Sequence, residues 1–319
     1  MTKFKTWISA ARLRTLPLSV SGIIVGSALY NNILVNPFIS PVDVIADFYG
    51  RLPFYKTTIF WLAILTTLGL QVLSNFANDY GDGVKGTDND DRVGPMRAIQ
   101  SGAISNAAMK RVIIITALLT LIFAVSLIYE AFGKSNFYYS LFFFVLGIAA
   151  IAAAIKYTVG NSAYGYRGLG DIFVFVFFGL VSVMGCYFLF TKEMNPLVIL
   201  PAITIGLLST AVLNLNNMRD YKSDKKSGKN TLVVKLGIDT ARKYHLTILI
   251  IAMLAMLLFL AFTYRRPINL LFLIAYLPII LHLNKVRKNK NAELLDPELK
   301  KVALSTFLLS VLFSLGQIL

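Results

Sequence analysis

An all-α, multi-pass membrane bundle of nine helices around a central cavity is the fold class this sequence predicts. Three observations lead there. The 319 residues are 56% hydrophobic and only 15% charged, with a mean hydropathy of +0.68, whereas a soluble domain carries about 25% charged residues. The apolar residues gather into nine runs, each close to the roughly 20 needed to cross hydrocarbon. If those runs alternate in direction from an inner N-terminus, 25 of the 31 basic residues fall on one side, the bias expected of cytoplasmic segments.

The elements follow in order. Phe4, Trp7 and Ile8 predict an interfacial helix within residues 3–15. The spans are predicted at 16–34, 56–77, 109–131, 138–158, 170–190, 196–215, 243–263, 267–284 and 302–319. Backbone polar groups in lipid must be satisfied within the segment, so these are helices. The 267–284 run is short and holds Pro267 and Pro278. Asn75-x-x-x-Asp79-Tyr80 follows the second span, and Asn216-x-x-x-Asp220-Tyr221 follows the sixth. Four helices separate the two copies in one orientation. Residues 1–319 therefore read as one domain, a pseudo-repeat of two four-helix halves plus a final helix, related by an axis near the membrane normal.

The formal charge of +15 is explained by topology and not by nucleic acid. The count puts the N-terminus and both Asp-rich segments on the cytoplasmic side and the C-terminus outside. Cys186 is the sole cysteine, and His245 and His282 are the only histidines. That excludes a disulfide framework and a Cys/His zinc site, so a bound metal would need oxygen ligands.

Half of the sixteen acidic residues stand in short segments between oily runs, where carboxylates are expensive unless they bind something. Asn75 and Asp79 are four apart, Asp79 and Asp82 three, Asp220 and Asp224 four. Those spacings put side chains on one helix face, about 5–6 Å apart at Cβ, where like charges repel unless a cation intervenes. Lys85, Arg92 and Arg97 accompany the first cluster, and Arg219, Lys222 and Lys229 the second. Carboxylates for Mg²⁺ with Arg and Lys for phosphate form a diphosphate site. Charged loops are usually only solvated, which is the reading for Asp90 and Asp91; two clusters at equivalent positions favour the site. Asp171 opens the fifth span, where the helix dipole alone is worth about 0.3–1 kcal/mol to an acid. Arg167 could pair with it or with a substrate carboxylate. Tyr157 reads as an interfacial belt residue or a ring contact, and Arg12 and Arg14 as orientation signals or anion contacts. The histidines read as hydrogen-bonded residues and Cys186 as a packer.

The stretch Asn78-Asp-Tyr-Gly-Asp-Gly-Val-Lys-Gly-Thr-Asp88, with Arg97-Ala-Ile-Gln-Ser-Gly102, resembles the UbiA superfamily of intramembrane aromatic prenyltransferases. Residues 165–175, 217–220, 228–237 and 11–17 agree with it, and the wording is most similar to the branch acting on 1,4-dihydroxy-2-naphthoate in menaquinone synthesis. The resemblance covers residues 7–240 or so, while the last helices match in hydropathy alone.

The resemblance implies a bacterial cytoplasmic-membrane enzyme with polyprenyl diphosphate and an aromatic acid as substrates. Mg²⁺ would be held by Asp79, Asp82, Asp220 and Asp224, with Asp171 also in the catalytic set. Asn75, Asn78, Lys85, Arg97, Arg219 and Lys229 would serve the diphosphate, and Arg14, Tyr157, Arg167 and Asn216 the aromatic substrate. A different aromatic acceptor such as 4-hydroxybenzoate, or a secondary transporter for an anion, are the alternatives. Acids at helix ends on one side, and not at mid-membrane in broken helices, count against transport. Many superfamily members carry a third Asp four residues after the second; here that position is Gly86.

Overall fold

The computed structural model describes residues 3–31, 52–87, 93, 96–289, 291 and 294–319. Asp88, Asp90, Asp91 and Arg92 lie outside them. Among the described residues nine helical segments are long and apolar enough to cross a membrane, one for each predicted run.

A short helix α1 (Lys3–Ala11) leads through a 3₁₀ turn (Leu13–Thr15) into α2 (Leu16–Asn31). Arg12 breaks the two helices apart with a left-handed backbone at φ 51°, a conformation uncommon outside glycine. Trp7 packs edge-on against Phe76 with ring centroids 5.9 Å apart, while Phe4 and Ile8 stay exposed. The second span is α3 (Thr58–Val84), capped by the Thr57 hydroxyl, which accepts from Phe60 N. Next come α4 (Asn106–Phe132), capped by Ser105, and α5 (Phe137–Lys156).

The fifth span, α6 (Gly170–Thr191), changes its winding along its length. It starts as α-helix, runs as π-helix from Phe175 to Gly185, and ends as α-helix. Then α7 (Ile199–Arg219) is followed by two short helices, α8 (Tyr221–Lys226) and α9 (Leu232–Leu236), and by α10 (Ile238–Thr263). The proline-bearing run Pro267–Lys288 is a span after all. It is 3₁₀ to Ala275 and continues as α11 (Tyr276–Lys288), so Pro267 opens the first winding and Pro278 sits in the first turn of the second. Both are places where a missing N–H costs little. The last helix is α12 (Leu295–Ile318).

Helix α7 is the buried centre. Its Ala202, Ile205, Leu208, Ala211 and Leu215 join Leu249 and Met256 of α10 and Leu309 and Phe313 of α12 in the main core. Small residues let the backbones approach, the usual device where lipid is as apolar as the core. Gly22 and Gly26 of α2 press on Ser182 and Val183 of α6, and Gly179 of α6 lies against Ala202 and Gly206 of α7. By contrast α5 buries only Ala153 and exposes Phe142, Val145 and Ile148, the profile of an outer, lipid-facing helix.

The helix ends matter most. The second span continues to Val84, not 77, and the sixth to Arg219, not 215. Asp79 and Asp82 therefore stand on the last turns of α3, and Asp220 caps the end of α7.

Candidate active site

A cavity of about 790 Å³ runs into the bundle from these helix ends. Its polar end is lined by Asn78, Asp79 and Asp82 of α3 and by Asn216, Arg219 and Lys229. Its depth is apolar, lined among others by Leu127, Phe143, Phe178 and Leu189.

The two acidic clusters meet across one lysine. Lys229 Nζ lies 3.3 Å from Asp82 Oδ2 and 4.0 Å from Asp224 Oδ1. It is brought there by the turn after α8, where Gly228 takes φ 71° and Lys229 N donates to Asp224 O. Asp82 also pairs with Arg97 at 3.4 Å and accepts from the Tyr166 hydroxyl at 2.8 Å. Asp79 is buried, and its Oδ1 makes no hydrogen bond.

Arg219 forks onto Asp220, with Nε to Oδ1 at 2.9 Å and Nη2 to Oδ2 at 2.8 Å. Nη2 also donates to Asn216 Oδ1 at 2.9 Å, and Nη1 to Asp296 Oδ1. Asn75 is committed elsewhere: its Nδ2 donates to Ala11 O at 2.8 Å and to Thr15 Oγ1 at 3.2 Å. It thereby pins the left-handed joint at Arg12 to α3. Asn78 Oδ1 accepts from Thr158 Oγ1 at 3.2 Å. Lys85 does not line the cavity. Its Nζ donates to Thr158 O at 2.8 Å and lies 3.9 Å above the Tyr166 ring. Burial, partly offset by Asp82 and reinforced by Lys229, holds its ammonium below the ordinary lysine pKa.

Arg14 and Tyr157 line the cavity with Asn216; Arg167 and Asp171 do not. The Arg167 side chain is exposed, and its carbonyl accepts from Lys235. Asp171 is buried and hydrogen-bonded to Tyr244, with Oδ2 unpartnered. Tyr157, Tyr164 and Phe173 form an aromatic wall: Tyr157 meets Tyr164 edge-on, and Tyr164 stacks on Phe173 at 3.9 Å. Burial first, then nearby Tyr164 and the acids, push the Tyr157 phenol well above its ordinary pKa, so it stays a proton donor.

Tyr166, Thr158 and Asp296 contact Asp82, Asn78 and Arg219 of this end, and sequence reasoning did not single them out. Tyr166 lies within residues 165–175, so its neighbourhood was marked. Asp296 carried no repeat or spacing.

The acceptor atoms at the polar end are oxygens, and Asp79 Oδ1 is buried there without a partner. Among the described residues no group of three acids stands close enough to hold a bare metal. Such a site fits Mg²⁺ arriving with a diphosphate, since phosphate oxygens and water commonly supply much of its octahedron.

Comparison with known proteins identifies the family. The sequence profile described as the UbiA prenyltransferase family matches residues 44–310. The 1,4-dihydroxy-2-naphthoate octaprenyltransferase of Escherichia coli is 40% identical over 316 residues, covering 99% of this chain and 96% of that one. Its counterpart in Haemophilus influenzae is 41% identical over 321 residues, covering 99% and 97%. The solved structure of a UbiA homolog from Archaeoglobus fulgidus bound to DMAPP and Mg²⁺ superposes with a TM-score of 0.63 at 17% identity, covering 98% of this chain and 99% of that one. The chain belongs to the UbiA prenyltransferase family.

Proposed function

We propose that this chain transfers a polyprenyl group from polyprenyl diphosphate to 1,4-dihydroxy-2-naphthoate, which loses its carboxylate, giving demethylmenaquinone in its reduced, quinol form. One observation carries the reading: carboxylates from two helix ends converge around Lys229 at the polar mouth of a cavity whose depth is apolar. The names of the relatives supply the acceptor.

The diphosphate lies at the polar end. Asp79, Asp82, Asp220 and Asp224 would hold Mg²⁺, which, when bound, would offset the charge that grows on the leaving group. Lys229 and Arg97, which pair with Asp82 at this end, would supply positive charge to phosphate oxygens, and Lys85 adds charge from behind Tyr166. These cations favour breaking of the C–O bond because they are strongest where negative charge develops. The prenyl tail occupies the apolar depth. Tyr157, Tyr164 and Phe173 present ring faces and edges to the allylic cation and keep water from it. An electron-rich ring carbon of the acceptor takes the cation, and the carboxylate departs as CO₂. Arg14 and Asn216 serve the acceptor at the same mouth. The lopsided distribution of Lys and Arg supports a bacterial cytoplasmic membrane location, with the N-terminus and this mouth inside and the C-terminus outside.

The test is purified protein with Mg²⁺, labelled polyprenyl diphosphate and a panel of aromatic acids. Naphthoate should be prenylated with release of CO₂. Prenylation of 4-hydroxybenzoate without naphthoate would refute the acceptor. Asp79→Asn and Asp220→Asn should each lose activity by orders of magnitude with normal membrane insertion, and near-normal turnover from either would refute the metal assignment.

A further inference from the structure

We propose that Asp296, in the first turn of the last helix, is a positioning residue for the diphosphate end of the site; this rests on the function proposed above. Asp296 belongs to neither acidic cluster. A guanidinium has five N–H donors. In Arg219 two of them fork onto Asp220, one goes to Asn216 and one to Asp296. Four donors are thus committed to protein. Arg219 is buried, whereas the Asp296 side chain is 38% exposed and lines the cavity.

Held by Asp220 and Asn216 alone, with Nη1 unrestrained, the Arg219 fork could swing toward an incoming phosphate and drag the carboxylate with it. Asp296 grips the third nitrogen and fixes the guanidinium plane, and the plane fixes Asp220. The charge count fits the task. One guanidinium between two carboxylates leaves a net negative trio, which still attracts a divalent cation.

Asp296 is itself held in place. Two residues on, the buried Glu298 accepts from His282 Nδ1 at 2.7 Å, Lys301 Nζ at 2.8 Å and Lys285 Nζ at 2.9 Å. These contacts fasten the first turn of α12 to α11, and the helix dipole favours both acids there. The final helix, matched to the family at first only by hydropathy, therefore reaches into the reaction end.

The experiment measures Mg²⁺-dependent binding of a polyprenyl thiolodiphosphate, which does not ionise readily, alongside turnover. Asp296→Ala should raise the Mg²⁺ concentration for half-saturation on the order of tenfold, the scale of one lost charge-assisted hydrogen bond, and should lower kcat similarly. KM for the aromatic acid should not move. Asp296→Asn, whose carboxamide oxygen still accepts from Nη1, should fall between. Wild-type Mg²⁺ dependence in Asp296→Ala overturns the proposal. Asp220→Asn is the internal control: if it too binds with wild-type Mg²⁺ dependence, the reading of the site falls, whereas a defect in Asp220→Asn alone sinks only the role of Asp296. Should Asp296→Ala show no melting transition, Asp296→Asn decides, and half-saturation equal to wild type overturns the proposal.

Discussion

Lys229 and Asp82 form a buried ion pair, 3.3 Å from Nζ to Oδ2, between segments 147 residues apart. It joins the two acidic clusters, and under the proposed function it puts the lysine where a cation bound by the carboxylates would sit. Lys229→Met should therefore leave the helices in place while lowering turnover on the order of a hundredfold, the usual cost of one group aimed at developing charge. Single-turnover rates with labelled prenyl diphosphate check this; an unchanged rate would remove Lys229 from the leaving-group end.

Tyr166 does two separable things. Its hydroxyl donates to Asp82 and its ring lies under Lys85 and near Lys229. Tyr166→Phe keeps the ring and should cost about fivefold to tenfold in kcat, the scale of one hydrogen bond to a charged group. Tyr166→Ala also loses the cation–π contacts and should cost clearly more. Equal losses in the two variants would show that the ring contributes nothing.

Lys85 predicts a pH effect. Its pKa lies below the ordinary lysine value, burial being the main cause. As pH rises through that lowered value the folded protein loses the charge before an unfolded chain would. Activity that uses the charge falls there, while stability rises between the lowered and the ordinary value because the unfolded chain then binds more protons. Lys85→Arg should move the alkaline limb of the rate profile upward. A limb that stays put would assign it to another group.

Gly179 and Gly147 form a matched pair for stability. A Cβ at Gly179 would lie 2.6 Å from Ala202 O and 2.7 Å from Gly206 Cα, both backbone, whereas at Gly147 the nearest atom is 3.9 Å away. Gly179→Ala should destabilise by about 1–3 kcal/mol through overpacking. Gly147→Ala should gain about 0.5–1 kcal/mol from helix entropy. Melting in detergent gives both signs.

Glu298→Gln should lower the melting temperature. It weakens the bonds to Lys285 and Lys301 and disturbs the one to His282, at a cost of about 1–3 kcal/mol. A stability equal to wild type would mean the network is not holding α12.

The nine spans were legible because hydropathy and the one-sided distribution of Lys and Arg agree. The ends of the second and sixth were not. Hydropathy stops where polar residues begin, and two glycines, Gly81 and Gly83, follow soon after residue 77. In the structure both glycines are helical: Gly81 lies against Thr158 and Gly83 against Ile99. Carboxylate spacing survived that error because Asp79 and Asp82 share a face only if the helix continues. The roles of Asn75 and Asp296 were not legible, since each depends on a partner supplied by a distant segment: Ala11 for one and Arg219 for the other.

The two histidines meet Nε2 to Nε2 at 2.8 Å, and that contact has a direction. Glu298 takes a proton-bearing Nδ1 from His282, so the far nitrogen of a neutral His282 ring must be bare. His245 then has to supply the hydrogen between the rings, which leaves its own Nδ1 as a lone pair with no partner. The opposite assignment would strand an N–H in the oily interior, the dearer of the two errors. One carboxylate on the final helix thus sets the tautomers of two imidazoles in succession, like a compass needle aligning its neighbours.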